Sequence, residues 1–509
     1  MSGRPVGTFC LVLHSHLPWV AHAGAWPVGE EWLHQAWSAS YLPLVELLTG
    51  LAEEGRRDVL TLGVTPVLAA MLDDPYCLAE LGTWVAGWQR RAEGALVAGL
   101  PTAGYEGTLA TRALAQVEGR WRHGASPLLR PLADAGVVEL LGGPAAHPFQ
   151  PLLPERVVRA QLAVGLDDAA LRLGRRPVGI WAPECAYRPG LEEVYAAGGV
   201  GHFVVDGPTV RGRTGAACDV AGSGVVAFAR DLGVTYRVWS PRAGYPAGRW
   251  YRDFHTFDHD MGDHDGAEHG FGLKPARVTS TRTAPRDKRP YDPARARAAV
   301  RADAEDFVGV VRRRLLDLAA ARDGRPGLVV VAYDSELFGH WWHEGPAFLS
   351  AVLRRLPEAG VRVTTLRGAV AAGHVEGARE LPAGSWGSGK DWRVWQDAPD
   401  LVALNDEVAD RLLRVVDKRT RSEQRCDALD QLAREAFLAT ASDWAFCVSH
   451  GTAAGYARSR ARTHARRFGA LAGALEEWDD ARAARLAAGW RAVDGPFGHL
   501  DARVLACGS

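Results

Sequence analysis

The chain has 509 residues, 47% of them hydrophobic, with a net charge of −1 at pH 7 and a pI near 7.0. That is apolar material for one large domain plus a smaller one. The charge balance argues against a phosphate-backbone binder, and no apolar run approaches the roughly 18 residues of a membrane span. Seven scattered cysteines without a CxxC pair point to reduced thiols and a cytoplasmic home. The start, MSGRPVGTFCLVLHSH, reads as a first strand and not as a signal peptide.

In chain order, Thr8–Leu13 is a strand that ends at His14–Ser15–His16, and its period of two puts both histidines on one face. Glu30 to Leu48 reads as a helix, and Val59–Val64 as a second strand. From about 81 to 132 the pattern is helical throughout, as in an insertion. Gly136–Leu141 is a strand followed by GGPAAHPFQPLLPE. Helix Arg156–Leu173 leads to strand Pro177–Trp181 and then Glu184. Val200–Asp206, Val225–Phe228 and Val234–Ser240 read as further strands. A long irregular stretch, about 240–292, precedes a helix at Pro293–Ala321. Val329–Val331 is a buried strand ending near Asp334, and Val361–Thr365 is one more. Beyond Ala398 the pattern is helical: Asp400–Val416, Ser422–Ala441 and Tyr456–Ala488. Alternating strands and helices predict an α/β barrel or doubly wound sheet, and no Gly-rich phosphate loop follows the first strand.

Two carboxylates stand where buried strands end beside tryptophan. Glu184 lies in GIWAPE and Asp334 in YDSELFGHWW. A carboxylate pair in an aromatic cleft is what glycoside chemistry needs, one group attacking and the other donating a proton. From local sequence alone, a structural carboxylate is the commoner reading of each. Glu336, two residues past Asp334, is a rival with the same strand parity. Eighteen tryptophans exceed what a core needs, and indole faces stack on sugar. The stretch His255–Gly270 interleaves four histidines with four aspartates, but its spacing fits no standard zinc pattern, so no functional metal is expected there.

Five segments occur in an order and spacing that resembles glycoside hydrolase family 57: LHSHLPW (Leu13–Trp19), GGPAAHPFQPLL (Gly142–Leu153), GIWAPE (Gly179–Glu184), YDSELFGHWW (Tyr333–Trp342) and GSWGSGKDWRVW (Gly384–Trp395). The HSHLPW start, the ELFGHWW extension and ASDWAF (Ala441–Phe446) resemble the branching-enzyme branch of that family. AGYPAGRWYRDF and KRPYDPARA look most like actinobacterial members.

The resemblance implies an incomplete (β/α)7 barrel over residues 1–398 and a helical C-terminal domain over 399–509. It implies α-1,4-glucan as substrate, with Glu184 as nucleophile and Asp334 as general acid/base. The severed chain would pass to a sugar 6-hydroxyl, making α-1,6 branches. The alternative is an α-amylase or 4-α-glucanotransferase using the same two carboxylates. The resemblance further implies no cofactor and, by family habit, a monomer. It makes His14, His16, His147 and His340 expected hydroxyl ligands. Trp181, Trp341, Trp386 and Trp395 are candidate sugar contacts, with Trp386 and Trp395 favoured for stacking. Arg277 is expected near the cleft. Tyr245, in AGYPAG, is expected at the tip of a loop that shields the glycosyl ester from water.

Overall fold

The computed structural model describes residues 5–25, 28–240, 243–260, 272–420 and 424–506. The His/Asp-rich stretch lies largely outside these residues, from 261 to 271, and its metal reading lies outside them too.

The strands are β1 (Gly7–Ser15), β2 (Leu60–Val64), β3 (Val138–Leu141), β4 (Gly179–Ile180), β5 (His202–Val205), β6 (Ala217–Val220), β7 (Val226–Ala229), β8 (Gly327–Asp334), β9 (Val361–Val363) and β10 (Val375–Arg379). One sheet has the order β3-β2-β1-β8, with β9 also on β1; the other has the order β10-β6-β7-β5-β4. Every pairing is parallel except β6 with β7. Strand β1 is buried along its whole length and pairs with β8 from Gly7↔Gly327 to His14↔Asp334. It divides its other edge, giving Gly7–Phe9 to β9 and Val12–Ser15 to β2.

Backbone bonds join the two sheets at both ends. Gly142 N–H donates to Gly179 O at 3.0 Å, and Trp181 N–H donates to Gly142 O at 2.9 Å. Across the other junction, Asp231 N–H donates to Val330 O at 2.8 Å. His14, Thr65, Glu184, Asp206, Arg230 and Asp334 all lie at or just past the carboxyl ends of parallel strands. Crevices outside those ends are where α/β sheets bind ligands.

The helices are α1 (Glu30–Ala36), α2 (Leu42–Glu53), α3 (Pro66–Leu72), α4 (Pro75–Val97), α5 (Ala103–Glu118), α6 (Ser126–Asp134), α7 (Glu155–Leu173), α8 (Leu191–Ala197), α9 (Leu232–Trp239), α10 (Pro293–Ala320), α11 (Gly345–Glu358), α12 (Leu366–Ala371), α13 (Arg393–Gln396), α14 (Pro399–Arg419), α15 (Asp427–Ala439), α16 (Ser442–Ser449), α17 (Ala454–Glu476) and α18 (Asp480–Arg491). Helices α4, α5 and α6 fill the segment read as a helical insertion. Asp74 caps α4 through the amides of Tyr76 and Cys77, and Asp292 caps α10, where Pro293 occupies the first turn. No helix among the described residues is long and apolar enough to cross a membrane.

Three readings need correction. Val234–Ser240 is not a strand but the helix α9, begun by the Asp231 side chain accepting from Val234 N–H at 3.2 Å. Its β-branched residues Val234, Thr235 and Val238 share one buried face at helical spacing. In the C-terminal part, the run Tyr456–Ala488 is broken into α17 and α18, and α16 is a further helix beyond Ser422–Ala441, a run that holds α15. The helix from Glu30 is interrupted by a π-turn at Trp37–Tyr41, between α1 and α2. That turn meets the ELFGHWW segment closely. A Cβ on Gly339 would lie 1.8 Å from Ala39 O, and Gly339 has φ +119°, so only glycine fits.

Contacts between the two ends of the chain close the fold. Trp19 Nε1–H donates to Asp494 Oδ1 at 3.0 Å, and Asp494 also pairs with Arg467. His16 Nε2 lies 3.0 Å from both oxygens of Asp443.

Candidate active site

Glu184 follows β4 in a turn where it and Cys185 both adopt left-handed backbone, at φ 62° and 49°. Such conformations cost about 1–3 kcal/mol per non-glycine residue and persist only when the surroundings enforce them. Here the fifth motif does so. Tyr187 and Gly384 exchange backbone bonds of 2.9 and 3.1 Å, and Trp386 N–H donates to Glu184 O at 2.9 Å. The Trp386 indole then donates to Glu184 Oε2 at 2.7 Å, and Ser442 Oγ–H donates to Oε1 at 2.6 Å. Both carboxylate oxygens therefore have a donor.

Asp334 closes β8, in register with His14. The His14 ring stacks on Trp181 at 4.3 Å and 13°, and on His147 at 5.1 Å; His147 stacks on His16 at 3.7 Å. His147 is a third residue with left-handed backbone, at φ 54°. Helix α7 enforces its loop: a Cβ on Gly165 would lie 2.1 Å from Gly143 O, and Gln161 Oε1 accepts from Ala146 N–H at 3.1 Å. His14 Nδ1, His147 Nε2 and Trp181 Nε1 are buried without a hydrogen-bond partner among the described residues. Glu336, the rival carboxylate, is occupied. It accepts from His16 N–H at 3.1 Å and from the Tyr41 hydroxyl of the π-turn.

Burial raises both carboxyls, each against a different set of neighbours. Burial pushes Glu184 up to about 7; the Asp443 charge adds to this, while the Ser442 and Trp386 bonds oppose it. Burial, then the Glu336 and Glu184 charges, raise Asp334 well above the usual carboxylate range, against Arg230. Arg230 is itself buried, donates to Asp206 Oδ1 at 3.0 Å, and lies 5.1 Å from the Trp386 ring centre. Burial pulls His16 down, but the charge and bond of Asp443 outweigh it and raise that imidazole. A nucleophile must be ionised and an acid protonated. With Glu184 as nucleophile and Asp334 as acid, kcat/KM should rise as pH passes about 7, where Glu184 loses its proton, and fall at the pH where Asp334 loses its own. A pH–rate profile of the free enzyme checks this.

Of the residues singled out from the sequence, His14, His16, His147, Trp181 and Trp386 surround Glu184 and Asp334. The others lie elsewhere. Trp395 is 1% exposed and stacks on Phe149 at 4.4 Å, so it is core and cannot stack on sugar. Trp395→Ala should cost about 3–5 kcal/mol of stability, the usual price of emptying a buried tryptophan site, with KM for glucan little changed. Urea unfolding alongside kinetics tests both halves. Tyr245 is not a free loop tip: its hydroxyl donates to Asp306 Oδ2 at 2.6 Å, and its ring lies against Phe307 and Phe348. Instead Trp239 of the preceding helix reaches the site, stacked on Tyr333 and 5.5 Å from Trp386. Arg277 is stacked over Trp250 at 4.4 Å and donates to Arg249 O. His340 is bonded through its backbone to Ser40 Oγ, and Trp341, 60% exposed, stacks on Phe254 at 5.8 Å.

Sequence reasoning missed Ser442, Asp443, Arg230, Asp206 and Trp239 as site residues. The ASDW resemblance was the available signal for the first two.

Among the described residues, two groups bring three potential metal-ligand atoms within 4.8 Å: His16, His147 and Asp443, and Glu435, His464 and Asp494. Neither is built for an ion. A ligated metal lies in the imidazole plane, whereas His16 and His147 are stacked face to face. In the second group His464 Nδ1 bonds Glu435, its Nε2 takes Arg460, and Asp494 is held by Arg467.

The family model described as glycosyl hydrolase family 57 matches residues 10–244, and that described as 1,4-alpha-glucan branching enzyme, C-terminal, matches residues 405–505. A protein of Mycobacterium tuberculosis named probable 1,4-alpha-glucan branching enzyme is 53% identical over 532 residues, covering 99% of both chains. The crystal structure of a GH57-type branching enzyme from Pyrococcus horikoshii has a TM-score of 0.90 at 30% identity, covering 99% of this chain and 97% of its own. That of an α-amylase from Thermotoga maritima has a TM-score of 0.86 at 27% identity, covering 98% and 99%. The first match holds three of the five motifs and Glu184; the second holds Ser442 and Asp443, which bond to Glu184 and His16. The chain belongs to glycoside hydrolase family 57, and it carries that family's branching-enzyme C-terminal segment.

Proposed function

We propose that the protein is a 1,4-α-glucan branching enzyme that works by double displacement on Glu184 and Asp334. The observation that carries the mechanism is the caging of Glu184. Its two oxygens are fixed by Ser442 and Trp386, and its backbone is locked, beside a second buried carboxyl at the end of β8. Such a carboxylate loses little on attack, because it need not be desolvated or reoriented at that moment.

In the first step Asp334 gives its proton to the glycosidic oxygen, and the bond from that oxygen to the anomeric carbon breaks. The departing chain leaves with a free 4-hydroxyl, and Glu184 forms an ester bond to the anomeric carbon. In the second, Asp334 takes the proton of an incoming sugar 6-hydroxyl, whose oxygen displaces Glu184. Retention requires the two carboxyl groups about 5–5.5 Å apart. The substrate is an α-1,4-glucan. His14 and His147, each with an unpartnered buried ring nitrogen among the described residues, bind its hydroxyls at the reacting sugar, with Trp181 and Trp386 walling it. His16, contrary to expectation, has both ring nitrogens occupied by Thr65 and Asp443 and instead braces the His147 ring. Trp341 offers an outlying stacking face beside His340.

We read the seven strands β1, β2, β3, β4, β5, β7 and β8 as an incomplete (β/α)7 barrel. The backbone bonds at Gly142 and at Asp231 support that reading by joining the sheets at both ends. Residues up to 398 form this unit, and 399–509 a helical domain packed on it. Six described cysteines are free thiols, which supports a reducing, cytoplasmic environment.

The second reading, an α-amylase or 4-α-glucanotransferase, uses the same site with water or a 4-hydroxyl as acceptor, and the resemblance to the Thermotoga maritima amylase favours it. Incubation with amylose, isoamylase debranching and reducing-end counts separate them. New α-1,6 branches that are absent with Glu184→Gln establish branching. Reducing ends that rise without branches establish a hydrolase.

A further inference from the structure

Ser442 opens α16, 258 residues beyond Glu184 in the sequence, yet it touches two residues of the site. Its Oγ is 2.6 Å from Glu184 Oε1 and 3.0 Å from His147 Nδ1. Its backbone N–H donates to His147 O at 3.0 Å, and Pro148 and Ala441 form an antiparallel bridge beside it. These contacts hold the Ser442 backbone against the His147 loop, and from there its hydroxyl is within hydrogen-bond distance of both groups. His147 Nδ1 itself is 3.9 Å from Glu184 Oε1, beyond a hydrogen bond, so the serine stands between them.

Proton counting fixes the polarity of this chain. An ionised carboxylate only accepts, so the single Ser442 hydroxyl proton goes to Glu184 Oε1. Ser442 Oγ must then accept from His147, which places a hydrogen on Nδ1. A neutral imidazole with hydrogen on Nδ1 has a lone pair on Nε2. Burial and the neighbouring imidazoles His16 and His14 hold His147 well below its ordinary value, in keeping with the neutral form. His147 Nε2 is buried and has no partner among the described residues, so it is left to accept from a sugar hydroxyl.

We propose that Ser442 is a positioning residue for the nucleophile, passing a hydrogen-bond relay from His147 Nδ1–H through its own hydroxyl to Glu184 Oε1. The relay rests on Glu184 being the nucleophile. It makes the branching-enzyme C-terminal segment part of the chemistry and not only a packing surface. It also sets the hydrogen-bonding sense of His147: Nε2 takes a donor and offers none.

The test uses the full-length chain and compares Ser442→Ala, Ser442→Thr and Glu184→Gln on amylose. Loss of a hydrogen bond to a buried charged group should lower kcat by about 10- to 100-fold in Ser442→Ala, with KM changed far less. Without its donor the Glu184 carboxylate is harder to ionise. The acid limb of the pH–rate profile should therefore move to higher pH by about one unit. Ser442→Thr, which keeps the hydroxyl, should restore both. An acid limb and kcat unchanged in Ser442→Ala, with Glu184→Gln inactive, would overturn the relay while leaving the nucleophile in place. Activity retained in Glu184→Gln would overturn the nucleophile, and the relay with it. If Ser442→Ala does not fold by near-ultraviolet circular dichroism, Ser442→Cys takes its place. Its weaker thiol donor should move the same limb the same way, and an unmoved limb refutes the relay.

Discussion

Glu184→Gln should lower kcat on amylose by about 10⁴-fold or more, the scale seen when a covalent nucleophile is removed. The substitution is nearly isosteric, so the cage formed by Trp386, Ser442 and the left-handed turn should persist. One mismatch arises. The amide presents a carbonyl oxygen and an NH2 group, while both neighbours on the carboxylate are donors. With the amide oxygen kept on Trp386, the NH2 group faces Ser442 Oγ, which can accept it only by turning its own proton to His147 Nδ1, so the hydrogen-bond chain must reverse its sense. Stability should fall modestly while chemistry all but stops. Mass spectrometry of the wild type quenched in turnover should show a glycosyl adduct on Glu184 that the variant lacks. A Gln variant with substantial transfer would remove Glu184 from the mechanism.

Asp334→Asn should cost about 10²–10⁴-fold on amylose, the usual worth of a positioned proton donor. Its signature is dependence on the leaving group. An α-glucosyl fluoride needs little protonation to depart, so the first step should be largely spared and the ester should accumulate. Azide needs no general base, and it should restore turnover and give an α-glycosyl azide. Stability should rise or stay level, because burial and the Glu336 and Glu184 charges all oppose ionising Asp334. The same reduction of amylose and fluoride turnover, with no azide rescue, would assign Asp334 a structural role.

The carboxylates were legible because each follows a short buried strand and sits in a motif with local character. Strands β1 and β8 were legible singly, though not their pairing: VVV is the apolar run a strand buried on both faces requires, and Thr8–Leu13 reads as a strand by its loose alternation. The second set of site residues was not. Ser442 and Asp443 open a short helix with no side-chain cap, and nothing in the local periodicity reveals that it meets the residues that follow β1 and β4. Trp386 and Trp395 are nine residues apart in one motif and look alike; only tertiary packing decides that one bonds Glu184 and the other stacks on Phe149. The α9 error has a plain cause. Val234-Thr-Tyr-Arg-Val is β-branched and alternates, but the Asp231 cap and a buried helical face outweigh that preference. Strands β6 and β10 escaped notice because they are short, and β10 is only half-buried.

The bond between His16 and Asp443 spans 427 residues of sequence. During synthesis at about 5–20 residues per second, the ribosome would need roughly 20–85 s to cover that distance. For all of that time the first motif has been made but its partners have not, and its stacked imidazoles and Trp19 await Asp443 and Asp494. The nascent chain therefore carries an unfinished catalytic face through most of its translation. Prematurely terminated chains, however long their sheet-forming portion, would emerge without enzymatic function and with that face open to chaperones and proteases.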